Sequence, residues 1–362
     1  MSERCILVTG GAGFIGSNLV RYWTKAHPSD KIAVLDLLTY AGHFGNIADL
    51  IDSGAVEFHR ADIADAEAVA HILDLLRPDL VFHLAAETHV DRSIQSAALF
   101  VRSNVLGTTV LIEALRSLAE TRFVSTRLVL MSTDEVYGPA PKRQRFDESS
   151  PYRPSSPYAA SKAAADHFGA SAHRTWGMDI VLAHPTNNYG PRQFPEKLIP
   201  LMIRNAAALE PLPIYGSGLQ ERDWLFVEDT CKGLDRIAHA GKSGQHYNLG
   251  TGRETPNLIV VEAIADQVDQ RLGRPLGTAR ALITHIQDRP GHDIRYALDC
   301  TKVASLGWQA ETSLEQGLQQ TVQWYLDHPD WLDEVTSGTY RRYYEEMYAS
   351  RLQDALDPHR QS

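Results

Sequence analysis

One segment near the amino terminus limits the fold more than any other: Thr9-Gly10-Gly11-Ala12-Gly13-Phe14-Ile15-Gly16, which follows the apolar run Cys5–Gly10. Gly11, Gly13 and Gly16 satisfy GxGxxG, and Gly10, Gly13 and Gly16 also give GxxGxxG. Glycine there permits a tight turn, a close approach of backbone to a pyrophosphate and close packing of helix on strand. The helix that follows offers free N–H groups and a positive dipole end to phosphate. Asp36 ends the next apolar run, about 20 residues past the last glycine, where a carboxylate accepts ribose hydroxyls and repels a 2′-phosphate. The pattern predicts a dinucleotide site that prefers NAD to NADP. Gly10, Gly13, Phe14, Ile15, Gly16 and Asp36 belong to it. Asp62 and Ile63, after the third apolar run, either meet the adenine or form an ordinary turn.

Further apolar runs at Lys31–Asp36, Val56–Asp62, Leu80–Ala86, Arg127–Ser132 and Asp179–Pro185 read as strands. Near-continuous apolar strands suit a parallel sheet covered on both faces. Amphipathic stretches between them, such as Ala66–Leu76 and Ala97–Ala119, complete a βαβ rhythm. The expected class is α/β, a Rossmann-type doubly wound sheet. After about Tyr189 the rhythm gives way to loops rich in Pro and Gly, with helices expected at Phe226–Ala240, Leu258–Leu272 and Ser313–Leu326. The expected division is residues 1–188 for the cofactor and chemistry, 189–330 mainly for substrate with some elements returning to the main fold, and 331–362 as a helical tail.

The formal net charge of −10 and the absence of basic runs argue against wrapping nucleic acid or an anionic membrane. Cys5, Cys231 and Cys300 are far apart and odd in number, which fits a reducing cytoplasm and indicates no disulfide framework. No signal peptide or membrane-spanning run is expected. The histidines show no tight ligand spacing, so no metal is expected.

Tyr158 and Lys162 stand at i and i+4, on one face of a helix. A tyrosine is a poor base at its free pKa near 10. An adjacent ammonium would lower that value and make Tyr158 a base. With the glycine fingerprint upstream and Thr133 ending the intervening strand, the chain resembles the extended short-chain dehydrogenase/reductase family. The segments Leu38–Gly42, His83–Ile94, Ser132–Gly138, Asn187–Leu201, Arg222–Thr230 and Asp288–Asp299 are similar to the nucleotide-sugar 4,6-dehydratases within it, above all the branch acting on dTDP-glucose. The likeness runs from Ile6 to about Tyr325.

The resemblance implies a Thr133–Tyr158–Lys162 triad, with Lys162 also holding the nicotinamide ribose. Leu38, Thr39, Leu84, Ala85 and Ala86 join the cofactor set. Tyr158 would take the proton of the sugar 4-hydroxyl while hydride leaves C4. Glu135 would then remove the acidified C5 proton, and protonated Asp134 would donate to the departing C6 hydroxyl. Two carboxylates in different protonation states are needed, which burial and neighbouring charge can arrange. Adjacent strand residues point to opposite faces, so both reach one sugar only if the chain has left the strand at Thr133. Thr88, Asn188, Lys197, Leu198, Arg222 and Asn257 are implied for the sugar and diphosphate, Tyr215 for the base, and Arg289 and His292 for the matching C-terminal loop. His89 and Asp91 are expected either to shape the sugar pocket or to position the nicotinamide, with no chemical role.

Family members usually read Arg-Cys-Ser before Asn187, whereas this chain has His184, Pro185 and Thr186. That difference bears on NAD affinity and on which nucleotide sugar is accepted. The resemblance also implies a homodimer formed through a four-helix bundle. A dehydratase for a UDP-, CDP- or GDP-hexose, a nucleotide-sugar 4-epimerase or decarboxylase, and a non-catalytic NAD sensor are the alternatives. The Asp134-Glu135 pair favours dehydration, and the intact triad opposes the sensor.

Overall fold

The computed structural model describes residues 4–288, 293–337, 348, 351, 352 and 355. Seven parallel strands form the main sheet in the order β10-β6-β5-β4-β1-β2-β3. They are β1 (Cys5–Thr9), β2 (Lys31–Asp36), β3 (Val56–Arg60), β4 (Leu80–His83), β5 (Arg127–Met131), β6 (Ile180–Pro185) and β10 (His246–Leu249). The expected strands are all present, and β10 is an addition from the later half of the chain. Its four residues, His246–Leu249, gave too short an apolar run to stand out.

Alternation along each strand builds two cores. Ile6, Val8, Ile32, Val34, Phe82, Val129 and Val181 point to one face, under the helices Phe14–Ala26 and Val227–Ala240. Leu7, Ala33, Leu35, Val81, Leu128, Leu130 and Leu182 point to the other, under Ala66–Leu76 and Gly107–Arg122. Burial on both faces is why these strands read as unbroken apolar runs. The strand order reverses beside β1, and a crevice opens there at the carboxyl ends of the strands.

A second apolar centre packs Ile199, Met202, Val261, Ile264, Leu318, Val322 and Tyr325 together. Above it lie β7 (Asn187–Tyr189), β9 (Glu221–Phe226) and β11 (Glu254–Pro256) in one small sheet, and β8 (Leu212–Tyr215) with β12 (Ile283–Ile286) in another. The indole of Trp331, beyond this centre in sequence, donates to Asn46 Oδ1 at 2.8 Å and so ties the tail back to the first half.

The stretch expected as one helix over Ala97–Ala119 is three pieces: Ala97–Phe100, a π-helical segment Val101–Leu106, and Gly107–Arg122. The wider turn aims Asn104 inward, where its amide bonds the Glu87 backbone (2.8 and 3.0 Å) and Ser161 Oγ (2.8 Å). Such segments recur at functional sites. Contrary to the sequence expectation, Ala97–Arg122 is long and apolar enough to cross a bilayer by length and composition. Here Val110, Leu111, Leu115 and Leu118 are buried in the core beneath the sheet instead.

Asp65 caps Ala66–Leu76 by accepting the N–H groups of Glu67 and Ala68, both at 3.1 Å. Asp65→Ala is expected to lower unfolding free energy by about 1 kcal/mol, read from the urea midpoint at unchanged slope.

Candidate active site

The glycine turn leaves β1 with Gly10 in the left-handed region, φ +70°. A Cβ on Gly16 would lie 2.1 Å from the Gly10 carbonyl oxygen, so only glycine lets the helix start this close to the strand. Gly13 caps Phe14–Ala26 without a side-chain partner. The first N–H groups of that helix therefore face the crevice with no side-chain acceptor, which suits a pyrophosphate. Asp36 is buried and accepts the Ala12 N–H (3.0 Å) and the Leu38 N–H (2.8 Å). Each carboxylate oxygen keeps lone-pair capacity for a ribose hydroxyl. The residues present fit a dinucleotide.

Gly10, Gly13, Phe14, Ile15, Gly16, Asp36, Thr39, Asp62, Ile63, Leu84, Ala85 and Ala86 all line one crevice with Thr133, Asp134, Glu135, Tyr158 and Lys162. Leu38 does not line it. Its backbone, at φ +58°, serves to orient Asp36. Asp62 fills both roles considered for it: it lines the crevice and closes a turn by accepting the Ala64 N–H at 2.8 Å. Burial raises its pKa, but the bonds from Ala64 and Arg102 outweigh that and hold it below the usual carboxylate range.

The chain leaves the sheet after Met131. Asp134–Tyr137 form a 3₁₀ turn, so the strand rule of opposite faces no longer applies, and Asp134 and Glu135 both line the crevice. The Thr133 hydroxyl donates to Asp134 Oδ1 at 3.2 Å, while Asp134 Oδ2 is buried without a protein partner. Burial first, then the charge of Glu135, push the Asp134 carboxyl up to about 8. It is a neutral acid at pH 7, with Glu135 beside it.

Pro157–Trp176 begins with the Ser156 cap and presents Tyr158 and Lys162, both buried. Lys162 Nζ donates to the Met131 carbonyl at 2.6 Å, and Thr133 bonds the Tyr158 hydroxyl. The expected drop in the Tyr158 pKa is not seen in the chain without ligand. Burial and the Glu135 charge raise it, because the ammonium is turned to the Met131 carbonyl.

On the substrate side, Thr88, Asn188 and Lys197 line the same crevice, and Lys197 Nζ donates to the Thr88 carbonyl at 3.0 Å. Leu198 lies outside its lining, at the start of Leu198–Ala208. Tyr215 ends β8, Arg222 lies in β9 and Asn257 opens the helix after β11, and none of the three lines the crevice. The Arg222 guanidinium lies 4.5 Å over the Tyr296 ring and donates to the Asp293 carbonyl at 2.8 Å. Its charge acts on Asp134 and that of Glu135 acts on Tyr296, which sets this cluster next to the carboxylate pair. Arg289 and His292 lie outside the described residues.

Sequence reasoning missed Ser103, Gln193, Phe194 and Glu196 as crevice residues. The clearest of these is Glu196, buried at 4% exposure and bonded by the Tyr40 hydroxyl (2.9 Å) and Arg92 Nε (3.2 Å). A carboxylate inside the Pro-rich loop after Asn187 was the available signal. His89 and Asp91 are buried, with His89 Nε2 4.0 Å from Glu196.

The altered run is accommodated. His184 is fully buried, and Pro185 and Thr186 line the crevice. Thr186 N–H donates to Leu249 of β10, so the neighbouring Pro185 nitrogen faces the other side, where β5 has already ended.

At the other end of the sheet, His27, Asp235 and His239 bring potential metal ligands within 4.8 Å of one another. Arg4 lies 3.0 Å from His239 Nε2, and Tyr22 donates to Asp235 at 2.7 Å, so this is a hydrogen-bonded cluster.

Residues 7–321 match the family described as GDP-mannose 4,6 dehydratase. The chain belongs to the GDP-mannose 4,6 dehydratase family. It is 45% identical over 360 residues to a dTDP-glucose 4,6-dehydratase of Shigella flexneri, covering 96% of this chain and 99% of that one. A dTDP-glucose 4,6-dehydratase of Neisseria meningitidis is 46% identical over 347 residues, covering 93% and 98%. Among solved structures, dTDP-glucose 4,6-dehydratase from Streptomyces venezuelae with NAD and dTDP bound is 39% identical at a TM-score of 0.84, covering 91% and 99%. UDP-glucose 4-epimerase of Thermus thermophilus with NAD is 30% identical at 0.78, covering 89% and 99%. Membership of the GDP-mannose 4,6 dehydratase family bears out the resemblance read from the motifs.

Gly16→Ala is expected to weaken NAD binding at least tenfold, because the new Cβ forces the glycine turn and the helix start apart. Titration of intrinsic fluorescence with NAD measures this.

Proposed function

We propose that this chain is an NAD-dependent dTDP-glucose 4,6-dehydratase, forming dTDP-4-keto-6-deoxyglucose and water. The observation that carries the reading is the placement of two adjacent carboxyls, Asp134 buried and held well above the usual carboxylate range next to Glu135, in one crevice with Thr133, Tyr158 and Lys162. The shared names of relatives at 45% and 46% identity over nearly the whole chain support the substrate.

Gly10, Gly13, Phe14, Ile15, Gly16, Asp36, Thr39 and Leu84–Ala86 would hold the dinucleotide, and Lys162 its nicotinamide ribose. Bound NAD supplies an acceptor for hydride from sugar C4 and returns it to C6. Tyr158 takes the 4-hydroxyl proton, with Thr133 bonded to the same oxygen. The C4 carbonyl acidifies C5, and Glu135 takes that proton. Asp134 donates its own proton to the C6 hydroxyl, which departs as water. Glu135 later reprotonates C5. Asn188, Lys197, Arg222 and Asn257 meet the sugar diphosphate and Tyr215 the base. Guanidinium suits phosphate because its donors form a fork.

Residues 1–188 form the cofactor portion, 189–330 mainly the substrate portion and 331–362 the tail. Two copies pair through Pro157–Trp176 and the broken helix 97–122. Leu99, Val101, Leu106, Phe168 and Trp176 are exposed apolar residues on those two elements and support this pairing. Three unpaired cysteines support a cytoplasmic enzyme.

Incubation with dTDP-, UDP-, CDP- and GDP-glucose, followed by mass spectrometry, is expected to show loss of water fastest from the dTDP sugar. No water loss from any of them would overturn the reading. Tyr158→Phe is expected to remove C4 oxidation, lowering activity at least a hundredfold. In Asp134→Asn the first oxidation survives while water loss slows about 10²–10⁴-fold, so a 4-keto-hexose and the absorbance of NADH build up. The elimination step needs protonated Asp134. On the alkaline side its rate in single turnovers is therefore expected to fall as pH rises through about 8.

A further inference from the structure

The proposed chemistry uses Lys162 but leaves unexplained the buried carboxylate one turn further along the same helix. Asp166 is 1% exposed and has no place in the steps above. Its Oδ2 gathers Ser132 Oγ at 2.6 Å, the Tyr152 hydroxyl at 3.0 Å and His184 Nε2 at 3.0 Å. Tyr152 and His184 also meet each other at 2.9 Å. These partners come from separate segments: Ser132 from the end of β5, His184 from β6, and Tyr152 from the approach to the catalytic helix. One carboxylate thus gathers the segments that carry Thr133, Pro185 and Tyr158.

Its charge matters as much as its bonds. Lys162 is 5% exposed, and its ammonium donates to the neutral Met131 carbonyl. Burial without a counter-ion favours the neutral amine. Asp166 stands at i+4 from Lys162, where helix side chains are neighbours. The groups packed on Asp166 do not compete with it as anions. They are Ser132 just after β5, His184 from β6 with the tilted ring of His246 of β10 5.4 Å from it, and Tyr137 and Tyr152 above. His167, on the same helix, packs against Tyr152 at 5.4 Å. Burial pulls the Asp166 carboxyl up, but His184, Ser132 and Lys162 outweigh it and hold it below the usual carboxylate range. It is ionised at neutral pH.

We propose that Asp166 is a positioning residue for the reaction: it is the counter-ion of the Lys162 ammonium and is itself fixed by Ser132, Tyr152 and His184. Lys162 alone would lose its proton too readily to stabilise a Tyr158 phenolate. Burial lowers the Lys162 pKa, and the charge of Asp166 opposes that fall and so favours the ammonium. The inference rests on the role assigned to Tyr158 and Lys162 above.

The sign of the effect is fixed. Removing the anion lowers the lysine pKa, so the active ammonium is lost at lower pH. The test is the pH profile of C4 oxidation, followed as NADH absorbance in the Asp134→Asn background where the Asp134 titration is absent, with and without Asp166→Asn or Tyr152→Phe. Asp166→Asn is expected to move the alkaline limb down by about one pH unit or more, a tenfold change in the lysine proton affinity. Tyr152→Phe removes a bond to the same carboxylate but keeps its charge, and is expected to leave that limb in place. An Asp166→Asn enzyme with slower C4 oxidation and an unmoved limb would overturn the proposal, as would an equal shift in Tyr152→Phe. Titration of 13C-labelled lysine in wild type and Asp166→Asn, with Lys162 assigned through Lys162→Arg, gives a readout independent of activity. Lys162 is expected to be charged at neutral pH in wild type and to lose its proton at lower pH in Asp166→Asn; a lysine titration unmoved by Asp166→Asn would overturn the proposal. If wild type forms no keto sugar, the functional reading fails, and the lysine titration still decides the role of Asp166.

Discussion

The Asp134 carboxyl sits out of water with one side-chain hydroxyl for a partner, directly beside a second acid. Most of what surrounds the crevice exists to hold it there. β5 must stop at Met131 so that Thr133 can face Tyr158 and the next residues can wind into a 3₁₀ turn. Gly138 ends that turn at φ +77°, with its Cα so near the Arg153 carbonyl that a Cβ would lie 2.3 Å from the oxygen. Arg153 N–H in turn bonds the Val136 carbonyl at 2.9 Å. This brings the chain around to Ser156 and the catalytic helix. The turn that buries the acid also places the triad.

The parts of the molecule that were legible in the sequence share a physical cause. The strands of the main sheet are buried on both faces, so each is an apolar run with its own boundaries. The glycine turn has no substitute residue, because a Cβ on Gly10 or Gly16 would strike backbone. Tyr158 and Lys162 are linked by helix period alone. Features that depend on distant contacts were hidden. β10 is four residues long and becomes a strand only by pairing with β6. The π segment at Val101–Leu106 answers to Glu87 and Ser161, which no local pattern reveals. Glu196 is part of the crevice because Tyr40 and Arg92 reach it from 156 and 104 residues away. The direction of the Tyr158 shift was misjudged for a related reason. Helix spacing puts Lys162 beside it, but the Met131 carbonyl decides where the ammonium points.

The His184-Pro185-Thr186 run follows the same logic. A proline inside a parallel sheet costs a ladder bond, and Pro185 is placed at the last position of β6, while the next N–H, that of Thr186, still bonds Leu249. The imidazole that precedes it is held by Asp166 and Tyr152, so its backbone cannot drift from the crevice wall. A run that breaks with the usual family pattern therefore still delivers Asn187 and Asn188 to the crevice.

The adjacency of the two acids also gives the proposed elimination an internal order. The charge of Glu135 is one reason Asp134 holds its proton so tightly. While Glu135 is an anion, Asp134 is a weak acid and keeps its proton through the first oxidation. When Glu135 takes the C5 proton, that charge disappears. The Asp134 pKa then falls at the moment the C6 hydroxyl needs a proton. Two carboxylates on separate elements would feel each other less, and the coupling would weaken as the reciprocal of their distance. Neighbouring positions on one 3₁₀ turn make the base and the acid parts of a single titrating unit, whose two protons cannot be assigned independently.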